Sequence, residues 1–177
     1  MEPVRGSERL RDVMGRFVTG VTVVTALEEG TPVGFTCQSF VSLSLEPPLV
    51  AVAPAKSSTS WPRMVAAGAF CVNILARGQE ELGRSFARSA ADKFAGVDWR
   101  PGVLGAPVLA GVLAWVQCEL DLVHDAGDHE LVVGRVVELA ANDGTPLVYY
   151  RGSFVELGEV VEPERRAAGP AIPPPER

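Results

Sequence analysis

The sequence holds no G-x-G-x-x-G turn and no Walker glycine-lysine loop, so neither common nucleotide fingerprint supplies a phosphate site. It has only three cysteines, Cys37, Cys71 and Cys118, widely separated and odd in number. No paired metal-ligand spacing results, and no metal is expected. Small reduced thiols of a cytoplasmic protein are the reading. The only histidines are His124 and His129, and no Ser/His/Asp or Cys/His constellation can be read along the chain. Positive charge is scarce. Sixteen Lys and Arg face 22 Asp and Glu, a formal net charge of −6. No large basic patch is apparent, which argues against a nucleic-acid partner while allowing one small anion to be held locally. No apolar run is long enough to span a bilayer, and the N-terminal MEPVRGSERLRDV has no apolar signal core. No membrane association is expected, and the expected location is cytoplasmic.

What the sequence has is strands. Its 177 residues favour one domain with a real core, and 47% hydrophobic against 21% charged residues is ordinary for a globular chain. Ser7 can cap a first helix, on which Leu10, Val13, Met14 and Phe17 form an apolar stripe suited to core packing. Val18–Ala26 reads as a strand, Glu28–Thr31 as a turn, and Val33 onward as the returning strand. Glu46-Pro47-Pro48 breaks that strand, and Leu49–Ala53 reads as a strand buried on both faces. Ser60 and Pro62 open a short helix ending near Gly68, with Ser60 as N-cap. Ala69–Ala76 is a strand, Gln79–Arg88 a helix, and 90–107 mostly loop. From Val112 to His124, Val112, Ala114, Val116, Cys118, Leu120 and Leu122 alternate with Trp115, Gln117, Glu119 and Asp121. His129–Ala140 returns, and Pro146–Phe154 is a last strand. Antiparallel strands bounded by turns, with about three short helices, suit a β-barrel better than an alternating parallel fold. The tail from Gly158 is rich in Pro and charge and is expected to be disordered.

Gly34–Ser60 organises the rest. It places Thr36, Ser39, Ser42 and Ser44 on a strand, then Ser57, Ser58, Thr59 and Ser60 after Lys56. Hydroxyls, backbone N–H groups and a lysine are what a phosphate needs. By composition alone, the same residues serve equally well as turn formers and a polar sheet face.

RFVTGVTVVTA, GFTCQSFVSLSLEPPLVAVAPAKSSTSW, FCVNILA, DKFAGVDW, GAPVLAGVLAWVQCEL, GDHELVVGRVVEL and PLVYYRGSF follow in order over Leu10 to Phe154. Together they resemble the flavin reductase family, the small reductase components of two-component flavin monooxygenases. The resemblance implies a mainly β chain with peripheral helices, an antiparallel Greek-key split β-barrel of the FMN-binding type over residues 1–157. It implies a homodimer with flavin near the subunit interface. It also implies NADH or NADPH as hydride donor, FMN or FAD as acceptor, and transfer of reduced flavin to a monooxygenase.

The same resemblance assigns residues by position. Thr36, Cys37, Gln38 and Ser39 fall beside the flavin ring and ribityl chain, with Ala53 on the neighbouring strand. Ser42 falls at the ribityl or phosphate end. Lys56, Ser57, Ser58 and Thr59 match the phosphate-side loop, and Lys93 and Phe94 a segment that closes over the flavin. His129, in GDH, matches a histidine near the nicotinamide, and Tyr150 and Arg151 a strand end lining the same site. Each has a plainer alternative: a solvent-facing serine at 42, a surface lysine at 56, a packed thiol at 37, a turn histidine at 129. Two other functions stay open at this point. One is an oxidoreductase that holds FMN tightly and acts on its own small substrate. The other is a non-catalytic flavin-binding module.

Overall fold

The computed structural model of the chain describes residues 7–89 and 92–158. The tail beyond Gly158 and the Ser7 side chain lie outside the described part. A helix α1 (Ser7–Met14) leads into strands β1 (Thr19–Gly20) and β2 (Thr22–Glu28). Glu29 and Gly30 both take positive φ, 47° and 80°. Such a two-residue left-handed turn matches strand twist and returns the chain as β3 (Thr31–Cys37), paired with β2 from Thr22↔Cys37 to Glu28↔Thr31. Next come β4 (Val41–Leu45), β5 (Pro48–Val52), α2 (Trp61–Ala67), β6 (Ala69–Ile74) and α3 (Glu80–Ala87). A small hairpin, β7 (Trp99–Pro101) with β8 (Pro107–Leu109), precedes the long hairpin β9 (Ala114–Ala126) and β10 (His129–Ala141). The strands β11 (Val148–Tyr150) and β12 (Ser153–Val155) finish the described chain.

The main sheet runs β3-β2-β6-β9-β10-β5-β4, every neighbouring pair antiparallel. It curls back on itself. Phe35 and Cys37 of β3, near one edge, share a buried cluster with Val50 and Val52 of β5, near the other. Phe70, Cys118 and Val132 fill the space between, and Trp61 and Met64 of α2 plug one end. Val50, Ala51 and Val52 are all buried, as a continuous apolar run predicts for a strand covered on both faces. A second cluster lies on the outer face of the sheet, where α3 and the β7–β8 hairpin cover Val21, Val23, Cys71 and Trp115.

That hairpin explains why β9 is not simply apolar on one side. Trp115 and Gln117, on the face opposite Val116 and Cys118, are buried as well. Gln117 donates to the Ala106 carbonyl at 3.1 Å, and Asn73 bonds Val23, Thr25 and Pro107. Buried amides with partners fix where the hairpin sits. All three cysteines are reduced and buried. Burial pushes the Cys71 and Cys118 thiols up to about 12, so neither is a ready nucleophile.

Three local expectations change. The apolar stripe of α1 is not core: Leu10, Val13, Met14 and Phe17 are 51% to 72% exposed. The helix joins the barrel through polar groups instead, with the Arg151 N–H on the Gly15 carbonyl. Ser60 holds the N-cap position of α2, but its side chain makes no capping bond. Its hydroxyl donates to the Gly34 carbonyl, and Ser58 Oγ accepts the Trp61 N–H in its place. Pro146–Phe154 is not one strand, because Arg151 and Gly152 take positive φ and turn it into the β11–β12 hairpin.

Gly134 sits beside an irregularity in the β9–β10 register. A Cβ there would fall 2.4 Å from Phe70 Cζ and 2.9 Å from Cys118 Cβ. Phe70 is buried and has nowhere to go. Gly134→Ala is therefore expected to destabilise the fold by about 1–3 kcal/mol, read as a lower denaturant midpoint at unchanged slope.

Candidate active site

A cavity of about 550 Å³ opens where the end of β3, the loop after β5, the end of α3 and the start of β10 converge. Its apolar walls are Phe35, Ala53, Pro54, Ala55 and Phe86. Thr36, Cys37, Gln38 and Ser39 form one side, Ser57, Ser58 and Thr59 one end, and Lys93 and His129 complete the lining.

The β3 side is tied internally. Thr36 Oγ1 donates to the Gly83 carbonyl at 2.6 Å. Ser39 Oγ donates to the Ala53 carbonyl at 3.1 Å and accepts the Ala53 N–H at 3.0 Å, bridging the ends of β3 and β5. Cys37 Sγ lies 3.2 Å from Ser39 Oγ. These groups shape the wall more than they offer donors. The Gln38 amide has no hydrogen-bond partner among the described residues, so it is the side chain free to read a ligand edge here.

The hydroxyl end is different. Ser57 and Thr59 side chains have no partner among the described residues, while the Ser58 N–H closes a turn on the Ala55 carbonyl. The cation at this end is Lys93. Its ammonium donates to the carbonyls of Gly34 at 3.2 Å and Phe86 at 3.1 Å. An ammonium has three hydrogens, so one remains for a ligand. Partial burial lowers the Lys93 pKa below the usual lysine value. Lys56 does not line the cavity. Its ammonium pairs with Asp125, whose carboxyl that hydrogen bond holds below the ordinary value.

His129, the first residue of β10, stands in a fixed frame. The Lys56 N–H donates to the Asp128 carbonyl and the Glu130 N–H to the Pro54 carbonyl, both at 3.0 Å. Trp61 Nε1 donates to the Glu130 carboxylate. His129 Nδ1 lies 2.7 Å from Asp128 Oδ1. An ionised carboxylate only accepts, so Nδ1 carries the hydrogen, and Nε2 is the nitrogen free of Asp128. The bond to His129 holds the Asp128 carboxyl below its ordinary value, so the acceptor stays charged through neutral pH.

The structure thus gathers Thr36, Cys37, Gln38, Ser39, Ala53, Ser57, Ser58, Thr59, Lys93 and His129 around one cavity. It does not bring Ser42, Lys56, Phe94, Tyr150 or Arg151 to its lining. Ser42 is exposed on β4. Phe94 packs edge-on against Phe86 at 5.0 Å and Trp99 at 6.3 Å. Tyr150 and Arg151 belong to the hairpin turn, whose neighbours Tyr149, Gly152, Ser153 and Phe154 line an adjoining cavity of about 320 Å³. That cavity shares Thr36, Gln38 and Ala87 with the first. Phe86, Ala87 and Asp128 escaped the sequence reading. Phe86 lies one turn from Leu82 on a recognisable helix, but nothing local says what that helix faces.

The arrangement has apolar walls, unpaired hydroxyls with a cation at one end, and a buttressed imidazole. It fits an aromatic ring system bearing a phosphate, with a second aromatic reactant near the histidine. The model for the flavin reductase like domain matches residues 14–158. The chain is 46% identical over 163 residues to the reductase subunit HsaB of a flavin-dependent monooxygenase from Rhodococcus jostii, covering 92% of this chain and 82% of that protein. It superposes with a TM-score of 0.86 on nitrilotriacetate monooxygenase component B from Mycobacterium thermoresistibile. That pair is 44% identical, over 91% and 93% of the two chains. An NADH:FAD oxidoreductase from Streptomyces globisporus, solved with NAD and FAD fragments, matches with a TM-score of 0.84 at 36% identity, over 92% and 100%. Split-barrel architecture and sequence converge: this chain belongs to the flavin reductase like domain family.

Proposed function

We propose that this protein is an NAD(P)H:flavin oxidoreductase that reduces FMN or FAD and supplies the reduced flavin to a partner monooxygenase. One observation carries the reading. A single cavity places phosphate-suited groups, Ser57, Thr59 and Lys93, at one end and the buttressed His129 on its lining.

A flavin bound there supplies the redox chemistry as acceptor of hydride from the nicotinamide. The chain's own residues bind and orient. Ser57, Ser58, Thr59 and Lys93 hold the phosphate. The free Gln38 amide and the β3 backbone take the ring edge. Pro54, Ala55 and Phe86 exclude water from its faces. His129 Nε2 fixes the nicotinamide, while Asp128 fixes the imidazole. Positioning of this kind is the main service a protein gives to hydride transfer.

A homodimer belongs to the same reading. Phe17 is 72% exposed and Leu45 is 89% exposed, and Met14, Val41 and Leu43 are open beside them in sequence. A lone chain seldom leaves so much apolar surface to water, and a second copy covers it in this reading.

The test is oxidation of NADH, and separately NADPH, with FMN or FAD under air and no organic substrate. Flavin-dependent turnover is expected, with flavin lost from the protein on desalting and a native mass twice that of one chain. Turnover only with tightly retained FMN and an added organic substrate would replace this reading with a self-contained oxidoreductase. Flavin binding without turnover would replace it with a binding module.

A further inference from the structure

A third cavity, of about 420 Å³, lies on the outer face of the sheet and shares no lining residue with the flavin cavity. The β7–β8 hairpin, the turn after β8, Trp115 of β9 and Asn142 just beyond β10 enclose it. We propose that it binds an aromatic α-amino acid, with the ring against Trp99 and Trp115, the carboxylate on Arg100 and the ammonium on Asp98.

The walls are apolar and fixed. Trp99, Val108, Leu109, Val112 and Trp115 line the cavity, whose volume lies in the range of small-molecule sites. The turn after β8 is pinned on three sides. The Ala110 N–H donates to the Asp98 carbonyl at 2.9 Å, and Gln79 Nε2 donates to the Ala110 carbonyl at 3.0 Å. Asn142 Nδ2 donates to the Val112 carbonyl at 2.8 Å. Walls held in this way lose little freedom when a ligand arrives.

The polar side chains at this cavity carry both signs. Arg100 Cζ lies 5.3 Å from the centroid of the Trp115 ring. Stacking orients the guanidinium and leaves the N–H groups in its plane open, and no carboxylate pairs with it among the described residues. The Asp98 carboxylate, two residues away, also has no partner among the described residues. Asn142 Nδ2 is committed to Val112, so its Oδ1 is a further acceptor. A ligand with only a carboxylate leaves Asp98 unanswered, and one with only an ammonium leaves Arg100 unanswered. A zwitterion with an apolar body satisfies both charges and the walls between them.

Isothermal titration calorimetry on the full chain tests the assignment with three probes: L-phenylalanine, phenethylamine, which lacks the carboxylate, and 3-phenylpropanoate, which lacks the ammonium. Wild type is expected to bind L-phenylalanine about tenfold more tightly than either of the others, the scale of one charge-assisted contact. Arg100→Gln should weaken L-phenylalanine about tenfold and leave phenethylamine unchanged. Asp98→Asn should weaken L-phenylalanine by a similar factor without weakening 3-phenylpropanoate. Both side chains are exposed, so the fold does not depend on either. Saturating FMN should leave L-phenylalanine binding intact, because the two cavities are separate. Equal affinities for the three probes, no binding of any, or parallel losses for all three in the variants would overturn the assignment. Displacement of L-phenylalanine by FMN would overturn it too, by placing the probe in the flavin cavity.

Discussion

His129→Ala lowers the single-turnover rate of NADH oxidation on the order of 100-fold, the scale of one positioned catalytic group, with flavin affinity near wild type. The expectation comes from where the imidazole is and what holds it. His129 lines the cavity from the tip of the β9–β10 hairpin, and its ring bonds Asp128 and none of Ser57, Ser58, Thr59 or Lys93. Its ring is oriented by Asp128 and its backbone by the Ala55 bridge. Stopped-flow absorbance separates NADH binding from the hydride step. An unchanged rate and an unchanged KM for NADH would remove the histidine from the site. Asp128→Asn retains an acceptor for Nδ1 and should cost much less. The sign of its pH dependence follows from the depressed carboxyl. The Asp128 contribution is fully present above the ordinary carboxyl value of 3.8 and is lost as pH falls through the lower folded value. Asp128 itself therefore stays ionised and adds no titration of its own between neutral and mildly alkaline pH.

Lys93→Gln weakens FMN binding by about tenfold or more, while riboflavin, which has no phosphate, binds as to wild type. Lys93 is the cation lining the flavin cavity, since Lys56 is held by Asp125 outside it. Glutamine keeps a donor for the Gly34 or Phe86 carbonyl, so loss of the charge is what the comparison reads. Equal losses for FMN and riboflavin would mean that Lys93 supports the wall and not the phosphate.

The pH dependence sharpens the test. Burial lowers the folded pKa of Lys93 below the reference of 10.5. Between that lowered value and 10.5 the unfolded chain binds more protons than the folded one, so stability rises with pH across this window. Phosphate binding has the opposite trend, because it needs the ammonium. FMN affinity should therefore fall as pH climbs through the same window in wild type and stay flat in Lys93→Gln. Riboflavin titrated in parallel corrects for ionisation of the ring itself.

The strand pattern and the hydroxyl-rich loop were legible because their causes are local. Val and Thr runs, the Glu29-Gly30 turn and the Glu46-Pro47-Pro48 break set most element boundaries through backbone sterics that neighbours cannot easily override. Ser57–Thr59 drew notice as clustered hydroxyls beside a lysine, but composition fitted turn formers equally well, and the order of the family's motifs decided between the two. The sequence by itself therefore determined an antiparallel β chain with one hydroxyl-rich loop, and its motif order marked the family.

Which lysine faces the cavity was decided only by the tertiary structure. Lys56 is nearer in sequence to the hydroxyls, yet the β9–β10 hairpin brings Asp125 to it and holds it outside. Lys93 comes from a loop beyond α3 and reaches the site because Gly34 and Phe86 present carbonyls to it. Charge at a site is a long-range matter, set by which partners the fold delivers and by how much water it removes. The apolar stripe of α1 illustrates the same limit from the other side. A period of 3.6 residues says that one face seeks cover, and only the packed chain says that its own core does not provide it.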